Sequence, residues 1–493
     1  MRQLLLIAPL GNAGLVGRDI SFRLPCLGLL RVAALTPPGW GVKIVDEKVE
    51  QLDLGQNADL VGITAMTITA HRAYEIADHF RRRGTKVVMG GMHASCLPDE
   101  ALQHCDSVVI GEAEGLWPGV LADFERGELK PTYQHLNGLP PLDQMPPVNW
   151  ELYRPKKYLP VHFVETTRGC PLDCEFCAVT NAFGGRYRNR PCDDVLAELR
   201  ALRPFDGLLT LKNCVFFVDD NIISNRAYAR ELLTRLADFK IKWFSQASMN
   251  IANDLELLKL CQRSGCIGLF IGFESLSAET LRSIGHKPNH PERYLDTVKK
   301  IHDHGIGIDA SFVFGFDTDD DGVFDRTVDF VLRAKVEVVY FSILTPYPGT
   351  RLHSRLRAEG RVLTTDWTQY DTSHVVYRPK TFTPDQLLDG YYRTLKQAYT
   401  VPGIFQRLWG TTAWKNFFWP MNFGFRQSAQ ALWRAYRNGG MRVVASPAAA
   451  PGYFTATQPR RTLLRGQPER RLSVAFGESE CAKPAANRCS SDA

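Results

Sequence analysis

Three cysteines carry the most concentrated chemistry in this sequence. Cys170, Cys174 and Cys177 stand in TTRGCPLDCEFCAVT with a CxxxCxxC spacing. Thiolates are natural ligands of iron–sulfur clusters. A [4Fe–4S] cluster needs four ligands and this loop offers three, which leaves one iron free to bind a small molecule. A structural zinc site and three core cysteines are the other readings. Zinc sites favour CxxC pairs with a fourth Cys or His at short range, and only Cys192 follows nearby. The other cysteines are scattered and read as small buried hydrophobes or tail residues.

Further polar residues follow apolar runs, where strand ends would place them. FVDDN gives Asp219, Asp220 and Asn221, and GFES gives Glu274. Each carboxylate could accept hydroxyl donors or cap a following helix. NAFGGRYRNRP carries Arg186, Arg188 and Arg190, which could pair with carboxylates of a ligand or sit in solvent.

The elements that must position these groups are legible from length and periodicity. The chain has 493 residues, 44% hydrophobic and 23% charged, which suits about three globular domains. A net charge of +6 is too weak over this length to argue for nucleic acid. No apolar run approaches the roughly 18 to 20 residues of a membrane span. MRQLLLIAPL reads as a buried first strand rather than a signal peptide.

Residues 1–125 alternate strands (4–9, 42–47, 58–66, 85–91, 105–112) with helices. One helix has Ala73, Ile76, Ala77 and Phe80 at i, i+3, i+4, i+7. The pattern predicts a doubly wound, flavodoxin- or Rossmann-like α/β domain, which binds ligands at the carboxyl ends of its strands. Residues 126–158, with six prolines, read as a linker. Residues 159–345 give six βα units, a partial TIM-like (β/α)6 barrel with its chemistry on the loops after the strands. Residues 346–443 read as a mostly helical, Trp- and Phe-rich module, and 444–493 as a disordered tail.

The cysteine motif, with aromatic Phe176 before the third cysteine and a first barrel strand before the loop, resembles the radical S-adenosylmethionine (SAM) superfamily. The resemblance implies a [4Fe–4S] cluster on the three cysteines, with SAM on the free iron and cleaved to a 5′-deoxyadenosyl radical. It places Phe176 at the cofactor, Asp219, Asp220 and Asn221 near the SAM amino group, Glu274 at the ribose hydroxyls and Gly315 of SFVFGF near adenine. The first domain, with GGMHAS, resembles the cobalamin-binding domain fused to many radical SAM enzymes. That likeness assigns Thr64, Gly90, Gly91, His93, Ser95, Gly111 and Glu112 to cobalamin. A DxHxxG motif would supply a lower axial His, but the loop here reads APLGNAGLVGRD, without one.

The implied activity is methylation of an unactivated carbon of a small molecule. The alternatives are a cyclase or rearrangement enzyme using cobalamin for redox, a methylthiotransferase with a second cluster on Cys26, Cys96 and Cys105, and a nonenzymatic cobalamin or cluster sensor. The expected partners are an apolar small-molecule substrate and a reductase, flavodoxin or ferredoxin electron donor. The C-terminal aromatics would line a substrate pocket, sit in the core or touch a membrane surface. An oxygen-labile cluster implies a cytoplasmic enzyme.

Overall fold

The computed structural model describes residues 1–11, 24–136, 138–143, 145–153, 158–202, 214–286 and 288–439. Most of the APLGNAGLVGRD loop and all of the tail read as disordered lie outside the described residues.

The first sheet contains β1 (Arg2–Ala8), β2 (Trp40–Asp46), β3 (Leu60–Thr64), β4 (Lys86–Gly90), β5 (Ser107–Ile110) and β6 (Thr132–Gln134), in the order β2-β1-β3-β4-β5-β6. Every pairing is parallel. Both faces are covered, so β1 reads as a continuous apolar run. Leu4 and Leu6 pack with Leu29, Trp117 and Val120 on one face. Leu5 and Ile7 pack with Ala73, Ile76 and Phe80 of helix Ala70–Arg82 on the other. Strand order reverses between β1 and β3, and doubly wound sheets bind ligands at such a point. β6 comes from the stretch read as a linker: Tyr133 is buried, and β6 completes the sheet edge.

The second sheet holds β7 (His162–Val164), β10 (Cys214–Phe217), β11 (Lys242–Gln246), β12 (Cys266–Glu274), β13 (Gly307–Phe314) and β14 (Val338–Ile343), all parallel and paired in sequence order. Six parallel strands with intervening helices form the open, partial barrel. Two short antiparallel strands, β8 (Thr167–Arg168) and β9 (Arg188–Asn189), pair across the loop after β7.

The C-terminal module is helical, with helices Arg351–Ala358, Pro384–Ala398, Val401–Leu408 and Lys415–Arg437. Thr383 and Gln386 form a reciprocal cap on the second of these, with Pro384 in the first turn, where its missing N–H costs nothing. Part of the module reaches back to the first domain. Trp367, Tyr370 and Val376 complete the core beneath helix Ala70–Arg82.

Candidate active site

The three cysteines lie between β8 and helix Ala178–Phe183, on the loop after the first barrel strand. The next strand fixes this loop. Asp219, fully buried after β10, accepts the backbone N–H groups of Thr166 (2.7 Å) and Thr167 (2.8 Å) and the Thr166 hydroxyl. Burial pushes its carboxyl up to about 7. Asp220 accepts the Gly169 N–H at 2.8 Å. Asn221 bonds Ser248 and reaches the Cys170 thiol. Of this trio, only Asn221 touches a cysteine. Asp219 and Asp220 hold the loop's backbone, and Asp220 also lies close enough to Cys170 and Cys177 to raise both thiols.

Burial pushes all three thiols up, and Cys177 and Cys170 add to the rise at Cys174. Cys174 Sγ lies 3.0 Å from His286 Nδ1. Such thiols become thiolates when a bound cation replaces the proton, so the donor set fits a cluster. Glu274 fits a ligand beside it. It is partly buried with φ +62°, uncommon for a residue other than glycine. The β12–β13 register shifts between Gly272 and Glu274. Burial pushes its carboxyl up to about 8, and it lies close enough to raise Cys174. Strain of this kind concentrates at functional sites.

Phe176 stands edge-on to Phe316, 6.2 Å between centroids, and lines a cavity of about 680 Å³ with Ile284, Leu344 and Arg355. Gly315 has another explanation than a ligand. Its φ is +102°, and the space a side chain would need is filled by Tyr377 and Leu387. The Tyr377 hydroxyl donates to its carbonyl.

Across from the cysteine loop, a cavity of about 340 Å³ enters the first domain. Thr64, Gly90, Gly91, Gly111 and Glu112 line it, and so do Glu165 and Arg168 of the barrel. It runs down to Leu6, Gly62 and Trp117 on one face of the sheet. A Cβ at Gly111 would point into open space, and one at Gly90 would make ordinary contact with Val109 at 3.7 Å, so both glycines line the cradle without a side chain in it. At Gly91, φ is +93° and a Cβ would lie 2.8 Å from the Ala65 carbonyl oxygen. Ser95 Oγ accepts the Gly111 N–H at 2.9 Å and so shapes the rim. This concave, largely apolar slot suits a bulky cofactor approached by backbone.

Arg168 joins the two halves. It donates to Glu112 (2.5 Å), Glu114 (2.9 Å) and Glu165 (2.9 Å), with its side chain 9% exposed. Arg188 also donates to Glu112. Arg190 pairs with Glu198 at 2.7 Å, as does Arg31 from the first domain at 3.4 Å. Arg188 and Arg190 are thus occupied by the protein's own carboxylates. Arg168, Glu114 and Glu165 were missed, although Arg168 lies within the cysteine motif.

His93 does not line the cavity. It is fully buried, with Nε2 3.0 Å from the Tyr74 hydroxyl and its ring 5.2 Å from Trp367. Glu100 accepts from both Tyr74 (3.0 Å) and Trp367 (2.8 Å). The residue assigned to cobalamin therefore fastens the first domain to the C-terminal module. Cys26 and Cys105 pack on opposite faces of the first sheet, so no second cluster triplet is assembled.

The barrel interior has its own character. Phe216, Phe244, Phe270, Asp309, Tyr340 and Ser342 are each half-buried, while the strand residues flanking them are buried. This period of two places the six on one face, the lumen. Phe216 stacks on Phe244 at 4.6 Å, and Phe270 meets Tyr340 at 5.4 Å. Helix Lys415–Arg437 closes the floor: Phe417 lies 5.8 Å from Phe244 and Phe425 5.1 Å from Tyr340. Burial and nearby Glu337 push the Asp309 carboxyl up to about 8.

The model of the radical SAM superfamily matches residues 164–357, and that of the B12 binding domain matches 15–121. A domain of unknown function matches 350–436. The bacteriochlorophyllide d C-12(1)-methyltransferase of Chlorobaculum tepidum is 34% identical, over 85% of this chain and 91% of its own. The hopanoid C-2 methylase of Rhodopseudomonas palustris is 26% identical, over 71% and 67%. The structure of the radical SAM methyltransferase TsrM from Kitasatospora setae, with tryptophan and a SAM analogue, aligns with a TM-score of 0.60 at 16% identity. That alignment covers 89% of this chain and all of TsrM, and supports the fold. The chain belongs to the radical SAM superfamily, among the members that carry a B12 binding domain. It is an enzyme whose cofactors are a [4Fe–4S] cluster, SAM and cobalamin.

Proposed function

We propose that this enzyme methylates an unactivated carbon of an apolar, ring-bearing small molecule. The aromatic lumen carries the reading: it lies inside the barrel whose cysteine loop faces the glycine-lined cavity. The relatives named for bacteriochlorophyllide d and hopanoid substrates support the same class.

Residues 1–125 would hold cobalamin, with Thr64, Gly90, Gly91 and Gly111 against it. Residues 159–345 would hold the cluster on Cys170, Cys174 and Cys177, and SAM beside Glu274. Residues 346–443 would close the substrate side. When bound, these cofactors supply a hydrogen-abstracting radical and a transferable methyl group. The chain's own residues do the positioning. Asp219 and Asp220 fix the cysteine loop, Arg168 sets its distance from the first domain, and the lumen aromatics exclude water and orient the substrate.

A reductase, flavodoxin or ferredoxin would deliver electrons, and the enzyme would work in the cytoplasm. The outer side of the cysteine loop carries exposed Arg282, and exposed Arg351 paired with Asp173, as contacts for an acidic redox protein.

The test is anaerobic turnover with methyl-labelled SAM and an extract of apolar metabolites. Labelled product, with 5′-deoxyadenosine and S-adenosylhomocysteine formed together, is expected. 5′-Deoxyadenosine with no label in any product would overturn methylation and favour cobalamin acting in redox only.

A further inference from the structure

The C-terminal module carries an exposed face that the reaction does not use. Nine large hydrophobic residues are strongly exposed among the described residues, and four fall within 23 positions: Val401 (39%), Phe405 (42%), Trp409 (70%) and Phe423 (40%). The first three follow at i, i+4, i+8 along helix Val401–Leu408 and its cap, so they form one stripe. Phe405 meets Trp419 edge-on at 5.0 Å, and Trp419 stacks toward Phe423 at 6.4 Å, which extends the stripe onto helix Lys415–Arg437. Contiguous exposed apolar surface of this kind marks an interaction site.

The charge along this stretch of chain is positive. Residues 390–439 contain seven Lys and Arg and no Asp or Glu. Arg407 among them is buried, and Asp389, one residue before the stretch, accepts from Tyr436. Beside Val401 opens a cavity of about 500 Å³ lined by Lys396, Thr400, Arg426, Gln430, Trp433 and Arg434. Arg426 Nε is buried there without a hydrogen-bond partner. Lys396 Nζ lies 4.6 Å above the Trp433 ring. Three cations around a cavity, one with an unspent donor, fit an anionic phosphate group. An aromatic stripe beside them fits the acyl boundary below it.

We propose that this face docks on an anionic phospholipid surface, with Trp409, Phe405 and Phe423 inserted and Lys396, Arg426 and Arg434 taking headgroup phosphates. No helix among the described residues is long and apolar enough to cross a membrane, so the contact is peripheral. Binding is read without turnover, so it stands or falls independently of the methylation reading.

The test is co-sedimentation of the full-length holoenzyme with vesicles of phosphatidylcholine alone and with about one third phosphatidylglycerol. Binding to the mixed vesicles at least fivefold above phosphatidylcholine alone, weakened by salt, is expected. Trp409→Ser with Phe405→Ser should lower it about tenfold, and Lys396→Glu with Arg434→Glu should abolish the preference for anionic lipid. These positions are exposed, so unchanged melting temperatures check the fold. Equal binding by parent and variants overturns the proposal. Stabilisation by inorganic phosphate with no vesicle binding also overturns it, in favour of a soluble phosphate ligand. A concentration-dependent dimer that dissociates in the Trp409→Ser variant overturns it in favour of a second copy of the chain.

Discussion

The two parallel sheets end in different kinds of surface. The first ends in backbone: Gly90, Gly91 and Gly111 line a slot, and the charged residues at its barrel side, Glu112, Glu114, Glu165 and Arg168, are spent on one another. The second ends in side chains: three thiols, Glu274, and the carboxylates that hold the loop. A large cofactor with its own chemistry needs room and shape. A cluster needs donors of defined softness. The same strand-end geometry therefore serves two ligands by supplying absence on one side and ligands on the other.

The largest effects should separate these halves. Cys170→Ala, Cys174→Ala or Cys177→Ala should each lose the cluster and all SAM cleavage while retaining stoichiometric cobalamin. Iron content, 5′-deoxyadenosine and the cobalamin absorbance measure this together. Gly91→Val should do the reverse, because a Cβ there meets the Ala65 carbonyl. Cobalamin content is expected to fall about tenfold, with the cluster and 5′-deoxyadenosine formation kept. A variant of either kind that loses both cofactors would collapse the distinction.

Arg168→Met tests the junction. It leaves Glu114 and Glu165 without their arginine in a buried setting, and removing one partner of such a pair costs about 3 kcal/mol. Denaturant unfolding measures it. His93→Phe keeps the ring volume and loses the contact with Tyr74. The expected cost is about 1–2 kcal/mol, with the cobalamin spectrum unchanged. A spectral shift would return His93 to the cofactor.

The last effect concerns pH. Asp309 has a folded pKa of about 8, raised by burial and by Glu337, against about 3.9 unfolded. Between these values the folded state holds the extra proton, so this group's contribution to stability falls as pH rises from about 4 to 8. Asp309→Asn should flatten that decline. Melting temperatures at pH 5 and 8 for both proteins check it, and parallel declines would remove Asp309 as the cause.

What was legible in the sequence follows the same division. The cysteines and Glu274 were visible because their chemistry depends on residue type. The strands were visible because sheets covered on both faces need apolar runs. Asp219, Gly315 and His93 make contacts that their local sequence does not announce, because distant residues supply the partners. Asp219 answers to Thr166, 53 positions away, and Gly315 to Tyr377, 62 positions away. His93 answers to Trp367 of another module. No spacing rule anticipates such pairings. β6 was missed because a three-residue strand with one buried tyrosine leaves no periodic signal.

The floor of the barrel belongs to the last helix of the described chain. Gly268 and Gly307 have no side chains, and Phe418 occupies the space they leave. Evolution can therefore remodel how deep a molecule the lumen admits by altering one terminal helix, without touching the strands that carry the cysteines. The arrangement separates inheritance of the reaction from inheritance of its substrate, so a lineage can diversify its products while its radical machinery stays fixed.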